Sequence, residues 1–392
     1  MNLPSSPKTA LVHHWLVTRR GGERVLAAIA ELFPSADIFT LVANREKMGQ
    51  YFPGHRIHTS FLQYLPRATR WYPHYLPLFP LATELLDLRG YELVITSDAA
   101  TLKGVRTDPG AIHICYCHTP MRYIWSGYET YFRSAGPLTR LVMPSMARWL
   151  RRWDCEAAQR VTHFVANSRT VAERIRCYYG RGSTVIYPPV DTEGFVPGSS
   201  LVGREDFFLV VSQLVPYKRV DLAVDAFNRC GRRLVVIGEG SERKKLERSA
   251  RSNIRFLGAQ TTEIVRQSMQ RARALIFPGE EDFGIVMAET QACGTPVIAF
   301  GRGGAIEIVA DGVTGVLFAE QSAESLANAL ERFMGIQFNP LTIRSRTSGF
   351  SRRRFQRELA AFVEESLVLR ARGLPKTSMP VEECPLAVRV ES

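Results

Sequence analysis

Short runs that are apolar almost throughout recur along the chain: "ALVHHW" (10–15), "YELVITS" (91–97), "AIHICYC" (111–117) and "THFVAN" (162–167). A second series follows: "DFFLVVS" (206–212), "RLVVIG" (233–238), "NIRFLG" (253–258), "ALIFP" (274–278) and "PVIAF" (296–300). Between many of them apolar positions return every three to four residues, as in "GERVLAAIAELF" (22–33) and "VDLAVDAFNRC" (220–230). Strands apolar on both faces, alternating with amphipathic helices, predict parallel sheets covered by helices on each side. Two such series predict two doubly wound α/β domains. The break falls in "VIYPPVDTEGFVPGSSLVGRED" (185–206), where prolines and glycines interrupt regular structure before a new strand series. We therefore expect an N-terminal domain over 1–190 and a C-terminal domain over 191–345. A terminal helix over 346–372 should pack back towards the first domain, and 373–392 should form a loose tail.

Two segments break the rhythm. "FLQYLPRATRWYPHYLPLFPLA" (61–82) is rich in aromatics and prolines without a strict period. It reads equally as a buried connection or as a surface that accepts something apolar. "LTRLVMPSMARWLRRWD" (138–154) mixes Arg140, Arg148, Arg151 and Arg152 with Trp149 and Trp153. Such a helix suits a membrane interface, where apolar faces sink and arginines meet lipid phosphates, and equally a solvated helix with its tryptophans in the core.

At 392 residues the chain exceeds what one hydrophobic core usually organises, in line with two domains. No stretch reads as a signal peptide or reaches the roughly 18 to 20 apolar residues of a membrane span, so we expect a cytoplasmic protein, peripheral at most. The seven cysteines (115, 117, 155, 177, 230, 293 and 384) are odd in number and irregular in spacing, which favours free thiols. "CYCH" (115–118) lacks the second pair that a zinc site needs, and no metal is expected. The net charge is +12, shared unevenly: residues 1–190 hold 23 Lys and Arg against 13 Asp and Glu, and the remainder 27 against 25. That asymmetry points to a polyanionic partner of the first half: nucleic acid, anionic lipid or a phosphorylated substrate.

The candidate chemistry lies in "PGEEDFGIVMAETQACGTPVIAF" (278–300). Ligands of doubly wound sheets bind at the carboxyl ends of strands, near helix N-termini whose free amides favour phosphate. Gly284 lets backbone approach a ligand closely. Glu280, Glu281 and Asp282 would repel a phosphate, so their carboxylates should face sugar hydroxyls, which donate to them. Glu289, on the second turn of the following helix, either reaches a diol such as ribose or simply suits the helix dipole.

"EDFGIVMAE" followed by "QACGTPVIAFGRGGAIEIVADGVTGVLF" resembles the signature of the retaining glycosyltransferases of family 4, which have the GT-B fold: two Rossmann-like domains facing across a cleft. "GGERVLAAIAELFP", "VANSRTVAERI", "VIYPPVD", "VVSQLVPYKRVDLAVDAF", "VIGEGSERKKLE" and "FLGAQTTEIV" follow in family order, and the resemblance covers most of the chain. "CYCHTPMRYIW" is similar to the mannosyltransferases of bacterial O-antigen and exopolysaccharide assembly. The resemblance implies that His118 and Glu281 act on the donor sugar, His118 beside the reacting carbon. It implies that Gly21, Gly22, Lys218, Phe283, Gly284 and Ile285 hold the diphosphate, and that Glu289 binds the ribose. Two positions depart from the family: Gln213 stands where an arginine is usual, which leaves Arg219 as a possible substitute, and Asp282 stands where glycine is common, next to the donor sugar. The implied reaction moves a hexose, mannose from GDP-mannose or a sugar from UDP or dTDP, onto a lipid-linked or oligosaccharide acceptor. It needs no cofactor and no metal, and would take place at the anionic inner face of the cytoplasmic membrane. The same residues would also serve a non-catalytic sugar-nucleotide binder. A dinucleotide-dependent oxidoreductase fits less well, because Gly238 and Gly240 are followed by Arg243 rather than a third glycine. No nucleic-acid-binding signature accompanies the positive charge.

Overall fold

The computed structural model describes residues 7–198 and 204–372, and the tail expected over 373–392 lies outside them. The described residues divide into two compact units, one of those up to Tyr187 together with those from Phe355 on, and one of those between Pro188 and Arg354. Among the described residues the first unit holds strands β1 (Thr9–Leu16), β2 (Asp37–Ala43), β3 (Ile57–Thr59), β4 (Leu93–Asp98), β5 (Ile112–Cys117), β6 (His163–Ala166) and β7 (Ser183–Val185). They form one parallel sheet in the order β3-β2-β1-β4-β5-β6-β7. The second unit holds β8 (Phe208–Val211), β9 (Leu234–Ile237), β10 (Ile254–Gly258), β11 (Leu275–Phe277), β12 (Val297–Phe300) and β13 (Gly315–Phe318), parallel in the order β10-β9-β8-β11-β12-β13. Both orders reverse direction once, between β1 and β4 and between β8 and β11. At such a reversal the flanking connections leave for opposite faces and open a crevice at the strand ends.

Alternation along β1 shows how each sheet is buried. Leu11 packs into the core on one face, with Ile29, Ile95 and Ile114, while Ala10 and Val12 pack into the core on the other, with Leu62, Phe79 and Val94. Four strands were not anticipated from the apolar runs: β2, β3, β7 and β13. β3 and β7 are three-residue strands at the sheet edges, too short to carry a period.

The terminal helix begins later than the sequence suggested. A short helix (Pro340–Arg346) and a turn (Thr347–Phe350) come first, and the long helix runs Arg352–Ala371. The break arises because Val190 bridges Ser351 and donates its N–H to the Phe350 carbonyl at 2.8 Å, which draws that stretch out of helical geometry. From Phe355 on the helix belongs to the first unit, with Phe355, Leu359 and Val363 in its core and Phe355 edge-on to Tyr116.

The aromatic stretch 61–82 folds into short helical turns that divide its side chains. Leu62, Phe79 and Ala82 are buried, whereas Tyr64, Trp71 and Leu81 are exposed. The helix Pro137–Arg160 divides its tryptophans likewise: Trp153 donates to Glu84 at 2.9 Å, and Trp149 is exposed. Among the described residues no helix is long and apolar enough to cross a membrane.

Candidate active site

In the second unit, the segments after β8 and β11 meet at the switch point. The Lys218 ammonium forms an ion pair and hydrogen bond with the Glu281 carboxylate, and both side chains are mostly buried. Gly279 makes the approach feasible, since a Cβ there would stand 2.9 Å from the Lys218 carbonyl. Gly284 adopts φ 91° and caps the helix Ile285–Ala292, a left-handed conformation that side-chain-bearing residues rarely take. Its preceding loop is clamped from behind: the Gly304 N–H donates to the Glu281 carbonyl at 2.8 Å, and Phe283 packs edge-on to Phe350. Asp282 and Phe283 are buried, Ile285 opens the helix, and Glu289 is buried on its second turn. Burial, with the Glu289 carboxylate adding, pushes the neighbouring Cys293 thiol up to about 12.

Arg219 takes a different course from Lys218. It stands in the left-handed region at φ 52°, pairs with Asp221 at 3.1 Å and donates to Gln321 at 3.3 Å. Gln321 in turn donates to the Pro278 carbonyl at 3.0 Å, so Arg219 braces the loop that carries Glu281. Gln213 is exposed.

In the first unit, the switch point gathers histidines. Gly21 and Gly22 open the helix Gly21–Ala30, whose N-cap Arg20 N–H donates to Glu23 at 2.8 Å. His13 and His14 lie in the second half of β1, stacked with ring centroids 4.3 Å apart. His118 follows β5, half-buried, and is held by its backbone: its N–H donates to the Asp98 carbonyl at 2.7 Å and its carbonyl accepts from Asn167 at 3.0 Å. The Ser97 hydroxyl lies 2.8 Å from His118 Nε2 and 3.1 Å from His13 Nδ1. His13 Nε2 lies 3.8 Å from the Glu23 carboxylate. A Cβ on Gly22 would come within 3.3 Å of the His13 ring and 3.8 Å of His118 Nε2, so glycine keeps the helix N-terminus against both rings. Burial, followed by the neighbouring His13, holds His14 well below its ordinary pKa.

Behind these rings lies a buried charge network that the sequence did not announce. Lys103, fully buried, pairs with Asp98 at 3.2 Å and Asp154 at 2.7 Å. Asp98 also accepts from the Ala100 and Leu102 amides, and Asp154 from Trp125 and Tyr179. Burial alone would raise the Asp98 carboxyl, but Lys103, His14 and the two amides outweigh it and hold it at about 2. Burial keeps the Asp154 carboxyl above its ordinary value despite Lys103.

Of the residues singled out in sequence, Lys218, Glu281, Gly284 and Glu289 lie at the switch point of the second unit, and Gly22 and His118 at that of the first. His13, Glu23 and Ser97, which the sequence patterns did not single out, lie beside them; a pair of histidines within an apolar strand and a glutamate at the third position of a helix were the available signals. Cys115, Cys117, Cys155, Cys230 and Cys293 are free thiols. Among the described residues no group of three or more His, Cys, Asp or Glu is arranged to hold a metal.

Two Rossmann-ordered units, each with polar side chains collected at its switch point, define a GT-B protein. Residues 19–194 match the family described as Glycosyltransferase Family 4, and residues 195–345 the family described as Glycosyl transferases group 1. The chain belongs to these glycosyltransferases. It is 33% identical over 166 residues to a D-inositol 3-phosphate glycosyltransferase of Mycobacteroides abscessus, covering 37% of this chain and 38% of that protein. It is 36% identical over 129 residues to an uncharacterized glycosyltransferase of Methanocaldococcus jannaschii, covering 32% of this chain and 37% of that protein. The matched region thus spans less than two fifths of either relative's length. Among solved structures, Anabaena HepE in complex with UDP superposes with a TM-score of 0.67 at 19% identity, over 91% of this chain and 100% of that one. Sucrose-phosphate synthase from Thermosynechococcus elongatus superposes with a TM-score of 0.66 at 18% identity, over 94% and 100%. These two likenesses show the fold.

Proposed function

We propose that the protein is a retaining glycosyltransferase that moves a hexose, mannose from GDP-mannose, onto a lipid-linked saccharide acceptor in cell-surface polysaccharide assembly. The observation that carries the reading is the Lys218–Glu281 pair at the second unit's switch point, beside the amide-rich start of the helix Ile285–Ala292. A lysine ammonium has three protons. One serves Glu281, and the others bind diphosphate oxygens and stabilise the charge that develops on the leaving group. The amides of Phe283, Gly284 and Ile285 take the distal phosphate. Glu281 accepts from hydroxyls of the donor sugar, Asp282 lies next to it, and Glu289 accepts from the ribose. Arg219 is engaged by Asp221 and Gln321, and Lys218, which faces the acidic loop, is assigned as the cation for the diphosphate.

Gly21 and Gly22 offer helix N-terminal amides to the diphosphate, and His118 serves the sugar. The acceptor oxygen forms its bond to the anomeric carbon on the face from which the nucleoside diphosphate departs. The departing phosphate oxygen receives the acceptor's proton, which accounts for retention without a covalent enzyme intermediate. Lysine and helix amides supply the charge stabilisation, so the reaction requires no metal.

A second donor reading is a UDP-sugar, favoured by the UDP and UDP-glucose complexes described for the Anabaena neighbour. Calorimetric titration with GDP, UDP, ADP, dTDP and NAD separates the two. Binding of GDP that Glu289→Ala weakens supports the mannose donor, and binding of UDP instead supports the second reading. Binding of NAD alone would overturn both.

A further inference from the structure

Resting on the reading in which Lys218 and Glu281 hold the donor, we propose that Arg219 and Gln321 are positioning residues that keep Glu281 in place while the diphosphate occupies Lys218. Their side chains form a continuous tie. Arg219 grips Asp221 with its guanidinium fork, Nε to Oδ1 at 3.1 Å and Nη2 to Oδ2 at 3.1 Å, and donates from Nη1 to Gln321 Oε1 at 3.3 Å. Gln321 Nε2 donates in turn to the carbonyl of Pro278, which stands just before the acidic loop, at 3.0 Å. The tie joins the segments that follow β8, β11 and β13, all within the second unit.

Donor and acceptor chemistry fixes the direction of the tie. Arginine only donates and a backbone carbonyl only accepts, so the side chain between them must do both, as a primary amide does. The backbone supplies an independent sign. Arg219 and Arg67 are the two described residues other than glycine with positive φ, and Arg219 stands at φ 52°, ψ 36°. A residue with a Cβ is disfavoured there, whereas glycine is not. Such a conformation persists where the surrounding structure holds the residue in it. For Arg219 that hold is the grip on Asp221 and Gln321.

Glu281 is held from several sides. Its carboxylate meets Lys218, its carbonyl accepts from the Gly304 N–H at 2.8 Å, and the start of its loop is tied through Pro278. In the proposed complex the Lys218 ammonium also serves the diphosphate, and charge developing on the leaving group draws it that way. Its hold on Glu281 therefore weakens at the step in which Glu281 orients the sugar. The tie through Arg219 and Gln321 does not use that ammonium, so it keeps the loop in place. Arg219 also follows Lys218 directly in sequence, so the same tie fixes the turn from which Lys218 projects.

The test is calorimetric titration of the full chain with GDP and GDP-mannose, and with UDP and UDP-glucose, in wild type, Gln321→Met and Arg219→Gly. Gln321→Met keeps length and charge but loses the amide, and Arg219→Gly removes the guanidinium while accepting the positive φ without strain. Each should weaken the sugar nucleotide about tenfold, the worth of one hydrogen bond to a charged group. Each should leave the bare nucleoside diphosphate within about threefold, because a charge that does not touch the ligand is screened. Hydrogen exchange of the Gly304 amide, whose acceptor is the Glu281 carbonyl, should quicken about tenfold in both variants. If Arg219→Gly weakens GDP or UDP about tenfold or more, Arg219 is a diphosphate ligand and the proposal is overturned. It is equally overturned if both variants keep the wild-type sugar-nucleotide affinity or the wild-type Gly304 exchange, which is what a bystander ion pair predicts. Glu281→Ala tests the underlying reading by itself. If it leaves the ratio of the two affinities unchanged, Glu281 does not hold the sugar and that reading fails, while Gly304 exchange still decides the tie.

Discussion

Lys218 and Glu281 are in direct contact, which sets what each substitution should do. On the proposed reading, Lys218→Ala removes the cation assigned to the leaving diphosphate, and kcat should fall by about 100- to 1000-fold, the usual cost of a lost transition-state electrostatic partner. Initial rates of sugar transfer check this, and the wild-type rate should be unchanged in EDTA. A transfer rate that collapses in EDTA would refute the metal-free account. A second residue-scale prediction concerns His14. Its folded pKa is depressed by burial below the ordinary 6.5. Above that value the ring is neutral in both states and costs nothing. Below it the unfolded chain binds a proton that the folded protein refuses, so stability falls as pH falls, by at most about 1.4 kcal/mol per pH unit. Urea midpoints between pH 7.5 and 5 should therefore drop more steeply for wild type than for His14→Gln. Equal slopes would mean that His14 takes up its proton without disturbing the fold.

Between elements, one tie in the first unit is ionic rather than apolar. Lys103 joins the end of β4 to the helix Pro137–Arg160 by bonding Asp98 and Asp154 in a fully buried setting. Lys103→Met leaves two buried carboxylates without their cation and should cost roughly 3 to 5 kcal/mol, read by urea unfolding. A loss under about 1 kcal/mol, the range of exposed pairs, would show the network to be solvated. None of this was visible in sequence, because residues 98, 103 and 154 share no period and only the fold brings them together. The strands β1, β4, β5, β8 and β12 were legible, since each falls in a run that is apolar almost throughout, whereas the seven-residue β2 was not. The edge strands β3 and β7 were not, being three residues long. The start of the terminal helix was also misjudged, because the pull of Val190 on Phe350 and Ser351 comes from a distant part of the chain. The acidic loop was legible for a different reason: its loop, glycine and helix are consecutive in sequence, so local chemistry and family resemblance both apply. His13, Glu23 and Ser97 are drawn from three segments, and their meeting is a product of sheet order.

For the molecule as a whole, charge and exposed apolar surface coincide on one helix. Most of the net charge of +12 lies in residues 1–190. Within them the helix Pro137–Arg160 exposes Leu138, Leu141, Val142 and Trp149 beside the exposed Arg140, Arg148 and Arg152. Apolar side chains that enter the acyl boundary and arginines that meet phosphates form a combination suited to a bilayer surface. Each basic residue near an anionic leaflet contributes on the order of 1 kcal/mol, and the attraction decays within a Debye length of about 8 Å at physiological salt. We therefore predict that the protein binds vesicles containing anionic lipid and leaves purely zwitterionic ones, and that binding weakens as salt rises. The two contributions separate by substitution. Arg140→Glu with Arg148→Glu should abolish the salt dependence along with most of the binding. Leu138→Asp with Leu141→Asp should weaken binding while leaving its dependence on salt intact. Flotation that is indifferent to lipid charge and salt would mean that the basic surface serves the acceptor's own phosphates and not the bilayer.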